Sequence, residues 1–259
     1  MKILFLGDIV SKVGRDIIFT YLDKIKEEEG IDFTVVNGEN SAHGKGITHK
    51  IYERFKSWGI DAITLGNHAF SKKEIIDHLD ECPDLIVPYN YPSGRENRQR
   101  VYEINGLRLC VANILGSAFM MENTMSAFEA MEEILYKYDA DLYLVDLHAE
   151  ATAEKILFGH HFSKRLIATL GTHTHVQTAD ERLIDGMAYI SDVGMNGVYD
   201  SIIGRDIEEM ERAMIKGEKT RFTLGEGPGI LCAVVVTVDE QTKRATAIKR
   251  LQIRPENVV

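Results

Sequence analysis

The sequence predicts an α/β protein. Two observations carry that expectation: short apolar runs alternate with longer amphipathic stretches, and five of the runs are followed by acids, amides or histidines. Composition agrees, since 44% hydrophobic and 27% charged residues with only five prolines is the balance of a packed chain and not of a disordered one. At 259 residues the chain can bury a sizeable core. It carries no internal repeat, low-complexity tract or Pro/Ser-rich linker, which points to one domain over residues 1–259.

The elements follow in order. KILFL reads as a strand and leads into a helical pattern to about Glu29; then come DFTVV, a Gly-rich loop, a helix around 48–58 and DAITL. A second set contains LRLCVAN, a helix around 125–138, DLYLVDL, a helix from about 149, and RLIATL. The last third, with MAYISD, CAVVVTV and TAIKRLQI, is richer in strand, so the sheet becomes mixed there. Gly and polar residues gather within 88–100 and 194–229, where a small insertion or lid would sit.

Charge and cysteine usage narrow the function classes. Thirty basic against forty acidic side chains give a formal charge of −10, which counts against a broad grip on extended nucleic acid. Cys82, Cys110 and Cys232 lack CxxC spacing, so neither a disulfide framework nor a thiolate zinc site is indicated, and a reducing compartment fits. The apolar run of MKILFLGDIV is too short for a signal-peptide core and GILCAVVVTV is too short to span a bilayer. The expectation is a cytoplasmic protein with no membrane partner.

Chemistry concentrates where the runs end. KILFLG precedes Asp8, DFTVVNG precedes Glu39 and Asn40, DAITLG precedes Asn67 and His68, DLYLVDL precedes His148, and RLIATLGT precedes His173 and His175. In open α/β sheets ligands collect outside the carboxyl ends of strands, where side chains from several strands converge. One such residue alone reads as a cap or turn. Five runs delivering them to one edge read as a site. The pair in GTHTH adds to this, because residues i and i+2 of an extended segment point to the same side. Carboxylate, amide oxygen and imidazole without thiolate suit manganese, iron or zinc rather than calcium or magnesium. Three histidines, two acids and two amides are too many for one four-coordinate ion and suit two ions bridged by a carboxylate.

Longer segments carry a resemblance: GDIV at 7–10, NGENSAHGKGIT at 37–48, GNH at 66–68, NYP at 90–92, VDLHAEATAEK at 145–155, GTHTHVQTADER at 171–182 and SDVGM at 191–195. On these the chain resembles the calcineurin-like metallophosphoesterases and, within them, the YmdB-like family of bacterial phosphodiesterases, over nearly its whole length. The superfamily's opening Asp-x-His is here Asp8-Ile9-Val10, and Glu39-Asn40 stands where Gly-Asp is usual. That combination marks the subfamily. The resemblance implies a sandwich of two mixed β-sheets flanked by helices, with a metal site at the C-terminal ends of strands. It implies one ion held by Asp8, Glu39, Asn40 and His175 and a second held by Glu39, Asn67, His148 and His173. Iron or manganese comes first and zinc next, in the divalent or trivalent state.

The same resemblance implies hydrolysis of small phosphodiesters, with 2′,3′-cyclic nucleotides foremost. A metal-bridging hydroxide would attack phosphorus while His68, which binds no metal, acts as general acid. Two divalent ions bring four positive charges; Asp8, Glu39 and hydroxide remove three, leaving a net charge that draws in a phosphate monoanion. Rival readings are a cyclic-nucleotide-binding regulator with little turnover, and a protein phosphatase or RNA-directed nuclease on the same site. A homo-oligomer is a general expectation.

Two departures stand out. Ala69-Phe70-Ser71 follows GNH where the family shows an aromatic and then an acid, and Asn196-Gly197-Val198 stands where Thr-Gly-Pro is expected in a substrate-facing loop. Asp146 and Asp192 are candidates to hydrogen-bond a ligand histidine, or ordinary turn acids. His43 and Lys45 read as a solvated loop beside Glu39, His160 and His161 as helix-end residues, and KEEEG and DIEEMER as solvated helix faces.

Overall fold

Successive side chains of a strand point to opposite faces, so a strand buried on both faces needs a packed layer on each. Residues 3–6 show that demand being met. Ile3 and Phe5 enter one hydrophobic core, Leu4 and Leu6 enter another, and all four are fully buried. The computed structural model, which describes residues 1–91, 99–120 and 125–257, shows what supplies the layers.

In chain order the elements are β1 (Lys2–Leu6), β2 (Asp8–Ile9), α1 (Ser11–Glu29), β3 (Phe33–Asn37), α2 (His49–Ser57), β4 (Ala62–Thr64), α3 (Glu74–Asp77), β5 (Leu85–Ile86), β6 (Arg100–Ile104) and β7 (Leu107–Leu115). There follow α4 (Ala127–Lys137), β8 (Leu142–His148), α5 (Thr152–Phe162), β9 (Ala168–Thr172), β10 (Arg182–Ile184), β11 (Met187–Ile190), β12 (Met195–Val198), α6 (Ile207–Met214), β13 (Gly229–Asp239) and β14 (Arg244–Ile253).

They form two mixed sheets. The first runs β2-β12-β13-β1-β3-β4-β5 with β14 against β13; β1, β3, β4 and β5 are parallel, while β13 is antiparallel to β1 and β14. The second runs β10-β11-β9-β8-β7-β6, parallel except for its two outermost strands. Phe5, Val35 and Val234 of the first sheet share the central core with Val111, Leu144 and Leu170 of the second. Ile18 and Leu22 of α1 and Phe55 of α2 cover the first sheet's outer face, and Met131 of α4 with Phe158 and Phe162 of α5 cover the second's. The chain is thus the four-layer sandwich its resemblance implies. Burial on both faces is why the central strands read as unbroken apolar runs instead of alternating ones.

Local sequence sets the helix starts. Thr48 caps α2, Ser126 and Glu129 form a capping box on α4, and Asp206 caps α6. Of the loop at 88–100, residues 92–98 lie outside the described residues. The stretch from Gly194 to Gly229 holds β12 and α6 and is pinned by an antiparallel bridge between Arg205 and Leu224. The three cysteines are free and buried. Among the described residues no helix is long and apolar enough to cross a membrane.

Candidate metal centre

β1, β3 and β4 of one sheet and β8 and β9 of the other deliver their C-terminal residues to one place. Glu39 Oε1 lies 3.3 Å from His148 Nε2, which lies 3.1 Å from Asn67 Oδ1 and 3.1 Å from His173 Nδ1. On the other side of Glu39, the Asn40 amide nitrogen lies 3.4 Å from Glu39 Oε1 and 3.2 Å from His175 Nε2, and His175 Nε2 is 3.8 Å from Asp8 Oδ1. All seven predicted ligands therefore meet, with Glu39 between two groups. His68 lines the same cleft, and its backbone N–H donates to Glu39 Oε2 at 3.2 Å.

Three observations test whether these residues fit metal ions. Glu39, His148 and His173 hold ligand atoms within 4.8 Å of one another. Asp8 Oδ1 is buried without a hydrogen-bond partner, a costly state for a carboxylate that a cation relieves. A Cβ on Gly66 would stand 1.9 Å from Glu39 Oε2 and 2.4 Å from His148 Nε2, so only glycine lets the two approach. The donor set fits. A second group, His49, His78 and Glu81, does not: the two rings stack 4.5 Å apart at 8°, and an ion in the plane of one lies outside the plane of the other.

Charge is organised around Glu39. Burial opposes its ionisation, yet attraction to His148 and then His68 holds its carboxyl at about 2. Burial likewise opposes charge on His148, and Glu39 overrides it to raise that imidazole to about 9. Burial and then the positive His148 lower His173 to about 3, leaving it a neutral donor. Burial raises Asp8 against the pull of His175 and His148. A cation held by Glu39 and His148 would take the place of a proton there.

The GTHTH pair works by a different geometry from the extended one predicted. β9 ends at Thr172, and His173 and His175 adopt positive φ angles of 99° and 67°. Such conformations are sparse for non-glycine residues and cluster at functional sites. The backbone turn sends the two rings to different partners. Asp192 holds this turn, accepting from Thr174 N at 2.9 Å and from Lys155 Nζ at 3.0 Å, so it braces the backbone and not a histidine. Asp146 does act on a ligand histidine, through Thr172: the Thr172 hydroxyl donates to Asp146 Oδ1 at 2.6 Å and faces His148 Nδ1 at 2.9 Å. Burial lifts Asp146 to about 6 despite His148 and its hydrogen bonds from Thr172, Thr64 and Asn37.

Other expectations sort as follows. Asn196-Gly197-Val198 is buried in β12 and is not an exposed loop; Asn196 Nδ2 donates to Gly7 O and its Oδ1 accepts from Cys232 N, which ties the Asp8 turn to β13. After GNH, Phe70 packs edge-on against Tyr91, whose hydroxyl donates to Asn67 O at 3.3 Å, so an aromatic pair braces the turn. Lys45 lines the cleft and His43 is exposed outside it. His160 and His161 sit in the last turn of α5. In DIEEMER, Glu209 is not solvated; it is buried and grips Arg205 at 2.7 Å.

Sequence reasoning missed Thr172, Lys155, Glu150, Arg205 and Phe222. Glu150 Oε2 lies 3.2 Å from His173 Nε2, and its spacing of two from His148 was the available signal. Lys155 is fully buried and donates to Thr172 O at 2.8 Å. A helical lysine is ordinarily solvated, which hid it.

Two mixed sheets under outer helices, with an acid, amide and histidine centre at one end of both, define a calcineurin-like metallophosphoesterase sandwich. The chain belongs to the YmdB-like family: the family model described as YmdB-like protein matches residues 4–251. It is 43% identical to a 2′,3′-cyclic-nucleotide 2′-phosphodiesterase of Bacillus subtilis, over all of this chain and 99% of that one. It is 35% identical to a putative phosphatase/phosphodiesterase of Mycoplasma pneumoniae, over 98% of this chain and 93% of that one. Among solved structures, a phosphatase from Mycoplasma pneumoniae matches with a TM-score of 0.93 at 34% identity, covering 100% of this chain and 96% of the other.

Proposed function

We propose that this chain is a dinuclear metal-dependent phosphodiesterase acting on small phosphodiesters, 2′,3′-cyclic nucleotides foremost. One observation carries the reading: a single buried carboxylate, Glu39, stands between two ligand groups, with Asn40, His175 and Asp8 on one side and His148, Asn67 and His173 on the other. The name of the Bacillus subtilis relative supports the substrate class and cleavage of the P–O2′ bond to leave a 3′-nucleotide. Iron and manganese suit the donors first, and zinc after them.

When bound, a pair of such ions polarises phosphoryl oxygens and makes a nucleophilic water available near neutral pH. The chain's residues do the rest. Thr172 Oγ1 accepts a hydrogen bond from His148 Nδ1–H and so directs the Nε2 lone pair into the centre. Glu150 faces His173 Nε2 and orients Nδ1 the same way. His68, on the turn pinned to Glu39, gives its proton to the departing ribose oxygen as water's hydroxyl group joins phosphorus. The balance is one water consumed and one P–O bond exchanged for another.

The test is metal analysis of protein purified without added metal, followed by assays on 2′,3′-cyclic AMP, 3′,5′-cyclic AMP and an aryl phosphodiester. Two metals per chain with rapid hydrolysis of 2′,3′-cyclic AMP is expected. Two metals without hydrolysis of any diester points to a binding protein, and activity on monoesters alone points to a phosphatase.

A further inference from the structure

Opposite the metal-ligating residues, the cleft has a wall that the chemistry above does not use. It is built from Gly44 and Lys45 of the 37–48 loop and from Arg205, Phe222 and Leu224 of the 199–228 segment, and the whole cleft has a volume of about 370 Å³. That volume falls in the roughly 300–1,000 Å³ range of small-molecule sites. Phe222 is the phenyl ring on this wall and remains 41% exposed, although such a ring gains by leaving water.

The ring is held in place. A Cβ on Gly44 would stand 3.1 Å from Phe222 Cε1 and Cζ, so the loop backbone abuts the ring edge. Arg205 Cζ lies 5.2 Å from the ring centroid, and the guanidinium is gripped in turn by buried Glu209 through contacts of 2.7, 2.8 and 3.1 Å. Lys45 Nζ lies 5.7 Å from the same centroid on an exposed side chain. Arg205 therefore has its charge matched and serves as a prop, whereas Lys45 can swing.

We propose that Phe222 is the stacking surface for the nucleobase of the substrate, and that Lys45 leaves the ring for the substrate phosphate when the base arrives. This rests on the phosphodiesterase reading above and adds the part of the substrate that the metal centre does not see. An aromatic face takes any base, because every base offers a π-face, so the site prefers a nucleotide over a bare cyclic phosphate without choosing strongly among bases.

The experiment compares 2′,3′-cyclic AMP with glycerol 1,2-cyclic phosphate, which has the same five-membered phosphodiester ring and no base. Phe222→Ala is expected to lower kcat/KM for the nucleotide by roughly 10- to 100-fold more than for the glycerol ester, mostly through KM. Phe222→Trp restores the nucleotide preference, and Lys45→Ala lowers both substrates together. Equal loss on both substrates with Phe222→Ala, or no loss, overturns the assignment. If the metal-loaded wild type hydrolyses neither diester, the phosphodiesterase reading fails by itself. Calorimetric binding of 3′-AMP against inorganic phosphate then still decides the stacking role, since only the former weakens in Phe222→Ala if it holds.

Discussion

Thr172 Oγ1 lies 2.9 Å from His148 Nδ1, and its own hydroxyl proton is committed to Asp146 Oδ1 at 2.6 Å. A hydroxyl carries one proton. His148 must therefore donate at Nδ1, which leaves Nε2 to face Glu39 and Asn67. The tautomer of His148, a predicted ligand, is fixed by a threonine that is not one of the predicted seven.

Thr172→Val keeps the shape and removes the relay. Metal affinity is expected to fall about 10- to 100-fold, the usual effect of losing such a partner. Titration against a competing chelator measures it, with thermal unfolding of both proteins as the check on the fold. Unchanged affinity would show that His148 holds its tautomer without Thr172.

Gly66→Ala tests the close approach behind Glu39. Its Cβ would fall 1.9 Å from Glu39 Oε2, and no nearby flexible chain end can yield, because the neighbours are Glu39 and His148 themselves. Overpacking of this kind costs about 1–3 kcal/mol. The expected outcome is loss of bound metal and of the Tm increase that metal confers on the wild type. A variant that keeps both metals, measured by elemental analysis, would refute the cradle.

Much of this centre was legible because its residues stand directly after strong apolar runs, and α1, α2, α4 and α5 fall within a few residues of their predicted spans. What was hidden has physical causes. β2 and β5 have two residues each, too few to show a period. The division into two sheets depends on pairings such as Leu4 with Val235, which no local pattern encodes; the resemblance supplied it. Phe222 sits among polar residues in KTRFTLGEG, and tertiary contacts such as the bridge between Arg205 and Leu224 bring its segment to the cleft. The GTHTH geometry was misjudged because positive φ at two histidines is set by tertiary contacts, and propensity speaks against it.

Asp180 gives a pH dependence away from the ligands. Burial opposes its ionisation, but hydrogen bonds from Ser191, at both hydroxyl and backbone, and from the Thr178 hydroxyl keep its carboxyl below the usual range. A depressed folded value means the stabilisation is present above the unfolded value of about 3.9 and is lost as pH falls through the folded one. Asp180→Asn should therefore be less stable than wild type at pH 7, with the gap closing as pH falls below about 4. Urea midpoints across that range measure it, and a gap independent of pH would assign the effect to packing.

His68 is separated from the ligands by role, and its variant separates binding from turnover. His68 lines the cleft beside Glu39, Asn40, His173 and His175 but is not among the seven predicted ligands, so His68→Ala is expected to retain both metals. Hydrolysis of 2′,3′-cyclic AMP releases a poor alkoxide leaving group that needs a proton, and losing the donor should cost about 10²–10⁴-fold in kcat. An aryl diester releases a phenolate that leaves unaided, so its loss should be far smaller. Measuring kcat for both substrates on metal-saturated protein decides the matter. Equal losses would move His68 from proton donor to a group that positions the phosphate, because positioning acts on both substrates alike.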